Sequence, residues 1–127
     1  MTRIEIVESE KLGPAAGPFS TAIKANGFLF LSGQVGTDAT GMLAEGFDAE
    51  THQVLKNIGY VLSEEGLDYA DIVSVTVYLK DMSHFWRLNQ IYLTYFGLHY
   101  PTRTCIAVAD LPANASVEMT VTALLMR

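Results

Sequence analysis

The chain has 127 residues, half of them apolar, with 14 acidic against 8 basic side chains and a formal charge of −6. That length suffices for one domain to bury a core without metal or disulfide staples, and a single cysteine excludes an internal disulfide. Scattered basic residues on an acidic chain argue against nucleic acid as the partner. No apolar run approaches the roughly 18–20 residues of a membrane span, and no apolar leader follows Met1, so a cytoplasmic location away from membranes is expected.

Ile4 to Val7 reads as a short strand. Pro14-Ala15-Ala16-Gly17-Pro18 reads as a rigid loop, because proline fixes φ and biases its predecessor towards extended backbone. Phe19 to Ala25 and Phe28 to Val35 read as strands joined by Asn26-Gly27, a pair suited to a two-residue hairpin turn, and Gly36 to Gly46 as a glycine-rich loop. From Asp48 onward a helix is expected: Val54, Leu55, Ile58, Val61 and Leu62 fall on one stripe and Gly66 supplies a stop. Ile72 to Leu79 is rich in β-branched residues and reads as a buried strand. Ser83 reads as the cap of a second helix, with Phe85, Leu88, Ile91, Tyr92, Tyr95 and Phe96 along one face and Gly97 at its end. Trp86 is expected to pack against the sheet or a neighbouring subunit.

Two more strands close the chain, giving an α+β fold of order β-β-β-α-β-α-β-β with two helices on one face of the sheet, and residues 1–127 as a single domain. The other face, expected to carry Ile72, Tyr78 and Thr104 or their alternates, is too apolar to leave in water, so a homo-oligomer is expected.

The chemistry concentrates in those last strands. Along the first, Arg103, Cys105 and Ala107 share a face; along the second, Ser116, Glu118, Thr120 and Thr122 do. A guanidinium, a thiol and a carboxylate are therefore expected to meet on one side of the sheet, as an acid/base site able to bind a carboxylate. Arg103 also reads as a surface arginine or as one half of a structural ion pair with Glu118, and Cys105 as a small buried hydrophobe. No histidine lies at a spacing that pairs with Cys105, which rejects thiol catalysis. The chain has no Walker loop, dinucleotide fingerprint, HExxH or GxSxG, so most cofactor classes lose support, and no Cys/His spacing suggests a zinc site.

Gly17-Pro18-Phe19-Ser20, Phe30-Leu31-Ser32-Gly33-Gln34, Leu88-Asn89-Gln90-Ile91-Tyr92, Phe96-Gly97-Leu98-His99-Tyr100-Pro101-Thr102-Arg103 and Val117-Glu118 together resemble the RidA family, also called YjgF/YER057c/UK114, over nearly the whole chain. The resemblance implies a chorismate-mutase-like (YjgF-like) subunit assembled as a homotrimer, with ligand sites between subunits. It implies hydrolysis of reactive enamines and imines of the 2-aminoacrylate type to 2-keto acids and ammonia, without cofactor or metal. In that reading Arg103 holds the substrate carboxylate, for which a planar guanidinium offers two parallel donors. Glu118 positions or activates the attacking water. Cys105 lines the cleft, Ser32 and Asn89 are polar positions of the pocket, and Gly33 lies where backbone approaches the ligand closely. Phe19 stands where the family usually has tyrosine, keeping the aromatic wall and losing the hydroxyl. Two alternatives stay open: deamination of a larger catabolic enamine such as 2-aminomuconate, and a non-catalytic trimer that binds 2-keto acids or other carboxylates. RNA cleavage, attached to some relatives, is opposed by the acidic balance.

Overall fold

The computed structural model describes residues 3–97 and 99–125. Among them seven strands form one sheet: β1 (Ile4–Val7), β2 (Ala22–Ala25), β3 (Phe28–Leu31), β4 (Gln34–Val35), β5 (Ile72–Leu79), β6 (Thr102–Ala107) and β7 (Val117–Leu124). The helices are α1 (Phe47–Ser63) and α2 (Phe85–Tyr92). The order across the sheet is β1-β2-β3-β7-β5-β6, with β4 continuing the β3 side of β7, and only the β5–β6 pair is parallel. No helix of the described residues is long and apolar enough to cross a membrane.

Local chemistry accounts for most of these boundaries. Asn26 (φ 52°) and Gly27 (φ 85°) turn the chain between β2 and β3, both in the left-handed conformation that this two-residue hairpin demands. The stretch expected as one strand from Phe28 to Val35 is broken. Between Phe30 and Gln34 it takes four steps where β7, from Thr122 to Met119, takes three, so Ser32-Gly33 contains a bulge. In α1 the stripe of Val54, Leu55, Ile58, Val61 and Leu62 is fully buried, each side chain contributing roughly 1.5–3 kcal/mol over an exposed position. Gly66, at φ 71°, ends the helical run.

The cap before α2 differs from expectation. A single 3₁₀ turn, Met82–His84, precedes the helix, and Asp81 caps it by accepting the Ser83 N–H at 2.9 Å. The Asp81 backbone is extended, which lets its carboxylate reach the amide two residues on, so Ser83 sits inside the turn. Leu88, Ile91, Tyr92 and Phe96 enter the core, whereas Trp86 is 76 % exposed in the subunit.

Both helices cover the same face of the sheet, where Val75, Val77 and Leu79 meet Val117, Met119 and Val121. The opposite face is bare and exposes Ile4, Ile6, Phe30, Ile106 and Leu124, with Thr76, Thr104 and Thr120 in a row between strands. Ile72, grouped on one face with Tyr78 and Thr104 by simple alternation, parts from them and is buried in the core: a bulge between Ile72 and Ser74 inverts the alternation at the start of β5.

The turn from β6 to β7 holds Ala113 at φ 59°, ψ 20°. A Cβ in this left-handed region costs roughly 1–2 kcal/mol, part of which glycine recovers after its own entropy penalty. Ala113→Gly is therefore expected to stabilise the chain by about 0.5–1 kcal/mol, raising Tm by roughly 2–4 °C. Thermal denaturation followed by circular dichroism checks this, and a lower Tm would refute it.

Candidate active site

The bulge at Ser32-Gly33, the first residues of β7 and the loops around 12–19 and 37–41 enclose a cleft of about 710 Å³. Two buried polar residues of α1 hold its walls in place. The Asn57 amide donates to the carbonyls of Val35 (3.2 Å) and Thr37 (2.9 Å), and the Glu50 carboxylate accepts the Ser116 N–H at 2.8 Å, two residues before Glu118. Sequence reasoning passed over both, although Glu50, Val54, Asn57 and Val61 share one helical stripe and a polar residue in such a stripe needs a partner.

Glu118 projects from β7 into the cleft beside Gly33. A Cβ on Gly33 would lie 2.0 Å from Glu118 Oε2 and 2.9 Å from Cδ, so only glycine leaves room for the carboxylate in this position. Burial pushes the Glu118 carboxyl above the usual glutamate range. Ser32 ties the bulge to the neighbouring loop: its hydroxyl donates to the Ser20 carbonyl at 2.6 Å and its amide to that of Thr21 at 2.9 Å. Phe19, half exposed, forms an apolar wall of the same cleft. Gln34, which sequence reasoning did not single out, also lines it.

Arg103, Cys105 and Asn89 stand elsewhere. In the β5–β6 register Arg103 pairs with Val75 and Cys105 with Val77, both of which face the helices. Glu118 pairs with Tyr78, on the bare face. The expectation that guanidinium, thiol and carboxylate meet on one side of the sheet is thus overturned within the subunit. β5 lies between β6 and β7, and its pairing puts Arg103 and Glu118 on opposite faces. The same geometry removes the structural ion pair between them, and no Asp or Glu forms a salt bridge with Arg103 among the described residues.

The guanidinium donates from Nη2 to Asn89 Oδ1 at 2.7 Å and lies half-buried over the Tyr92 and Phe85 rings. Cys105 packs against the core; burial pushes its thiol up, partly offset by the nearby Arg103 charge, which disfavours the thiolate a nucleophile needs. The sequence-derived residues therefore form two groups: Phe19, Ser32, Gly33 and Glu118 around a cleft, and Asn89, Arg103 and Cys105 at a sheet edge. One group offers a carboxylate poised for proton transfer, the other a positive fork without a counter-charge among the described residues.

The chain is similar to known proteins over nearly its whole length. Residues 10–125 match the family model described as Endoribonuclease L-PSP. Over 117 residues the chain is 44 % identical to Reactive Intermediate Deaminase A, chloroplastic, of Arabidopsis thaliana, covering 91 % of this chain and 63 % of that protein. It is 38 % identical to the 2-iminobutanoate/2-iminopropanoate deaminase of Mus musculus, covering 91 % and 87 %. A crystal structure of a Rid-family protein of unknown function from Yersinia pestis superposes with a TM-score of 0.93 at 37 % identity, covering 96 % of this chain and 99 % of that one. With the motifs, the fold and these matches in agreement over nearly its full length, the chain belongs to the RidA (YjgF/YER057c/UK114) family.

Proposed function

We propose that the protein hydrolyses small 2-imino acids, and the enamines that tautomerise to them, to 2-oxo acids and ammonia. The observation that carries this reading is the half-buried guanidinium of Arg103, held by an amide and two rings and by no carboxylate among the described residues. A cation kept in that state suits a ligand carboxylate. The names of the Arabidopsis and mouse relatives support deamination, and the mouse name supports a small imino acid over an aminomuconate. The net charge of −6 counts against the RNA cleavage implied by the family description.

The two groups of residues complete one another between copies of the chain. Arg103 of one subunit faces the Phe19–Glu118 cleft of the next, and the bare sheet face, with Phe30, Ile106 and Leu124, supplies the apolar surface for a homotrimer. In that assembled site Arg103 binds the substrate carboxylate and leaves C2 facing a water beside Glu118. Glu118 accepts a proton as the water oxygen bonds to C2 and passes it to the imine nitrogen, which gives the carbinolamine and frees the carboxylate. The carbinolamine then loses ammonia as its hydroxyl becomes the keto group, so that imino acid and water give oxo acid and ammonia. The imine carbon is already electrophilic. Positioning with general acid/base help of about 10²–10⁴-fold therefore serves, and the proposed hydrolysis draws on no cofactor or metal.

The direct test generates 2-iminopropanoate in situ with an amino-acid oxidase and follows its disappearance with and without the protein. Acceleration proportional to protein concentration is expected. An imine lifetime unchanged by the protein would exclude this substrate class.

A further inference from the structure

Arg103 leaves the edge strand and crosses the flank of α2, where Phe85, Asn89 and Tyr92, spaced four and three apart, present one face to it. Its guanidinium carbon lies 4.8 Å from the centre of the Tyr92 ring and 5.6 Å from that of Phe85, both within cation–π distance. Each ring is itself braced: Tyr92 stacks on Phe96 at 4.6 Å and Phe85 meets Trp86 edge-on at 5.2 Å. The Tyr92 hydroxyl is buried without a hydrogen-bond partner among the described residues, so its contact with Arg103 is through the ring and not the oxygen.

The composition of this cradle has a chemical consequence. A carboxylate beside Arg103 would fix the side chain but cancel its charge and compete with an anionic ligand. Aromatic faces and one amide oxygen fix it while leaving the charge, and the remaining N–H donors, to the ligand. A long side chain immobilised before binding also loses little further freedom when the ligand arrives.

We propose that Phe85 and Tyr92 are positioning residues that hold the Arg103 guanidinium, by their ring faces, in the orientation that binds a ligand carboxylate. The inference rests on the reading of Arg103 as the carboxylate anchor. Both rings act through Arg103, which they contact directly.

The test compares the wild type with Tyr92→Leu, Phe85→Leu and Tyr92→Phe. Steady-state kinetics use 2-iminobutanoate, and calorimetric titration uses 2-oxobutanoate beside its carboxamide. For the two leucine variants KM and the dissociation constant for 2-oxobutanoate are expected to rise about tenfold. Their kcat stays within about twofold and carboxamide binding does not change, because these rings act on the carboxylate clamp alone. Tyr92→Phe, which keeps the ring and loses only the unpartnered hydroxyl, restores wild-type behaviour. Equal losses for acid and carboxamide, or a fall in kcat at constant KM, would overturn the proposal and leave the rings as core packing. Should Tyr92→Leu fail to fold, Phe85→Leu, at a half-buried position, decides the matter alone. A wild type that binds no 2-oxobutanoate overturns the anchor reading together with this one. Variants indistinguishable from an active wild type overturn only the cradle.

Discussion

Arg103→Ala is expected to lower kcat/KM for a small 2-imino acid by about 10²–10³-fold while the chain remains folded. Removing one partner of a desolvated charge pair costs roughly 2–5 kcal/mol, and each 1.4 kcal/mol is tenfold. The fold survives because Arg103 lies at the edge of the sheet, half-buried on two rings, and takes part in no salt bridge among the described residues. Asn89→Asp sharpens the test. It keeps the shape of the side chain 2.7 Å from the guanidinium but adds a negative charge there. Arg103 then stays fixed and is neutralised, so this variant also loses carboxylate binding, by tenfold or more on the same scale. If alanine at position 103 left hydrolysis intact, the carboxylate anchor would have to be sought elsewhere.

What could be read from the sequence, and what could not, follows from the range of the interactions involved. The α1 stripe, the Asn26-Gly27 hairpin and the bounds of β5 depend on neighbours within a few residues, and all three stand in the structure as expected, although only one face of β5 is buried. The side of the sheet on which a residue lies depends on registers between strands far apart in the chain. Arg103 and Glu118 are correctly placed on alternating strands, yet their faces are decided by pairing with Val75 and Tyr78. Two bulges, at Ser32-Gly33 and between Ile72 and Ser74, invert alternation where the sequence shows unbroken β-forming residues. Helical backbone begins ahead of the expected Ser83 cap because Asp81, an equally good cap, opens the 3₁₀ turn that contains Ser83 and leads into α2. Phe85 and Tyr92 carried no functional signal at all: on a helix they read as core, and only the path of Arg103 over them gives them another part.

Glu118→Gln carries the other large effect: a fall in kcat of about 10²–10⁴-fold, the range of general acid/base help. A raised carboxyl pKa makes Glu118 a better base once ionised, but ionisation needs a higher pH. The wild-type rate is expected to climb with pH through an ionisation above the ordinary glutamate value of 4.5, and this rise should vanish in the glutamine variant. Stability moves the other way. Because the folded chain holds the Glu118 proton more tightly than the unfolded chain, its stability falls as pH rises from the ordinary glutamate value through the raised one. Glu118→Gln removes that penalty, so at neutral pH the inactive variant should melt no lower than the wild type. Mixing separates the shared site from a site within one subunit. Chains carrying Arg103→Ala, co-assembled with equal amounts of Glu118→Gln chains, place an intact arginine opposite an intact glutamate in about a quarter of interfaces of a closed ring. That fraction of wild-type activity should return from two inactive parents. Continued inactivity of the mixture, with mixed assemblies demonstrated, would mean that Arg103 and Glu118 do not serve one site across subunits, since the pairing in β5, β6 and β7 already keeps them apart within a subunit.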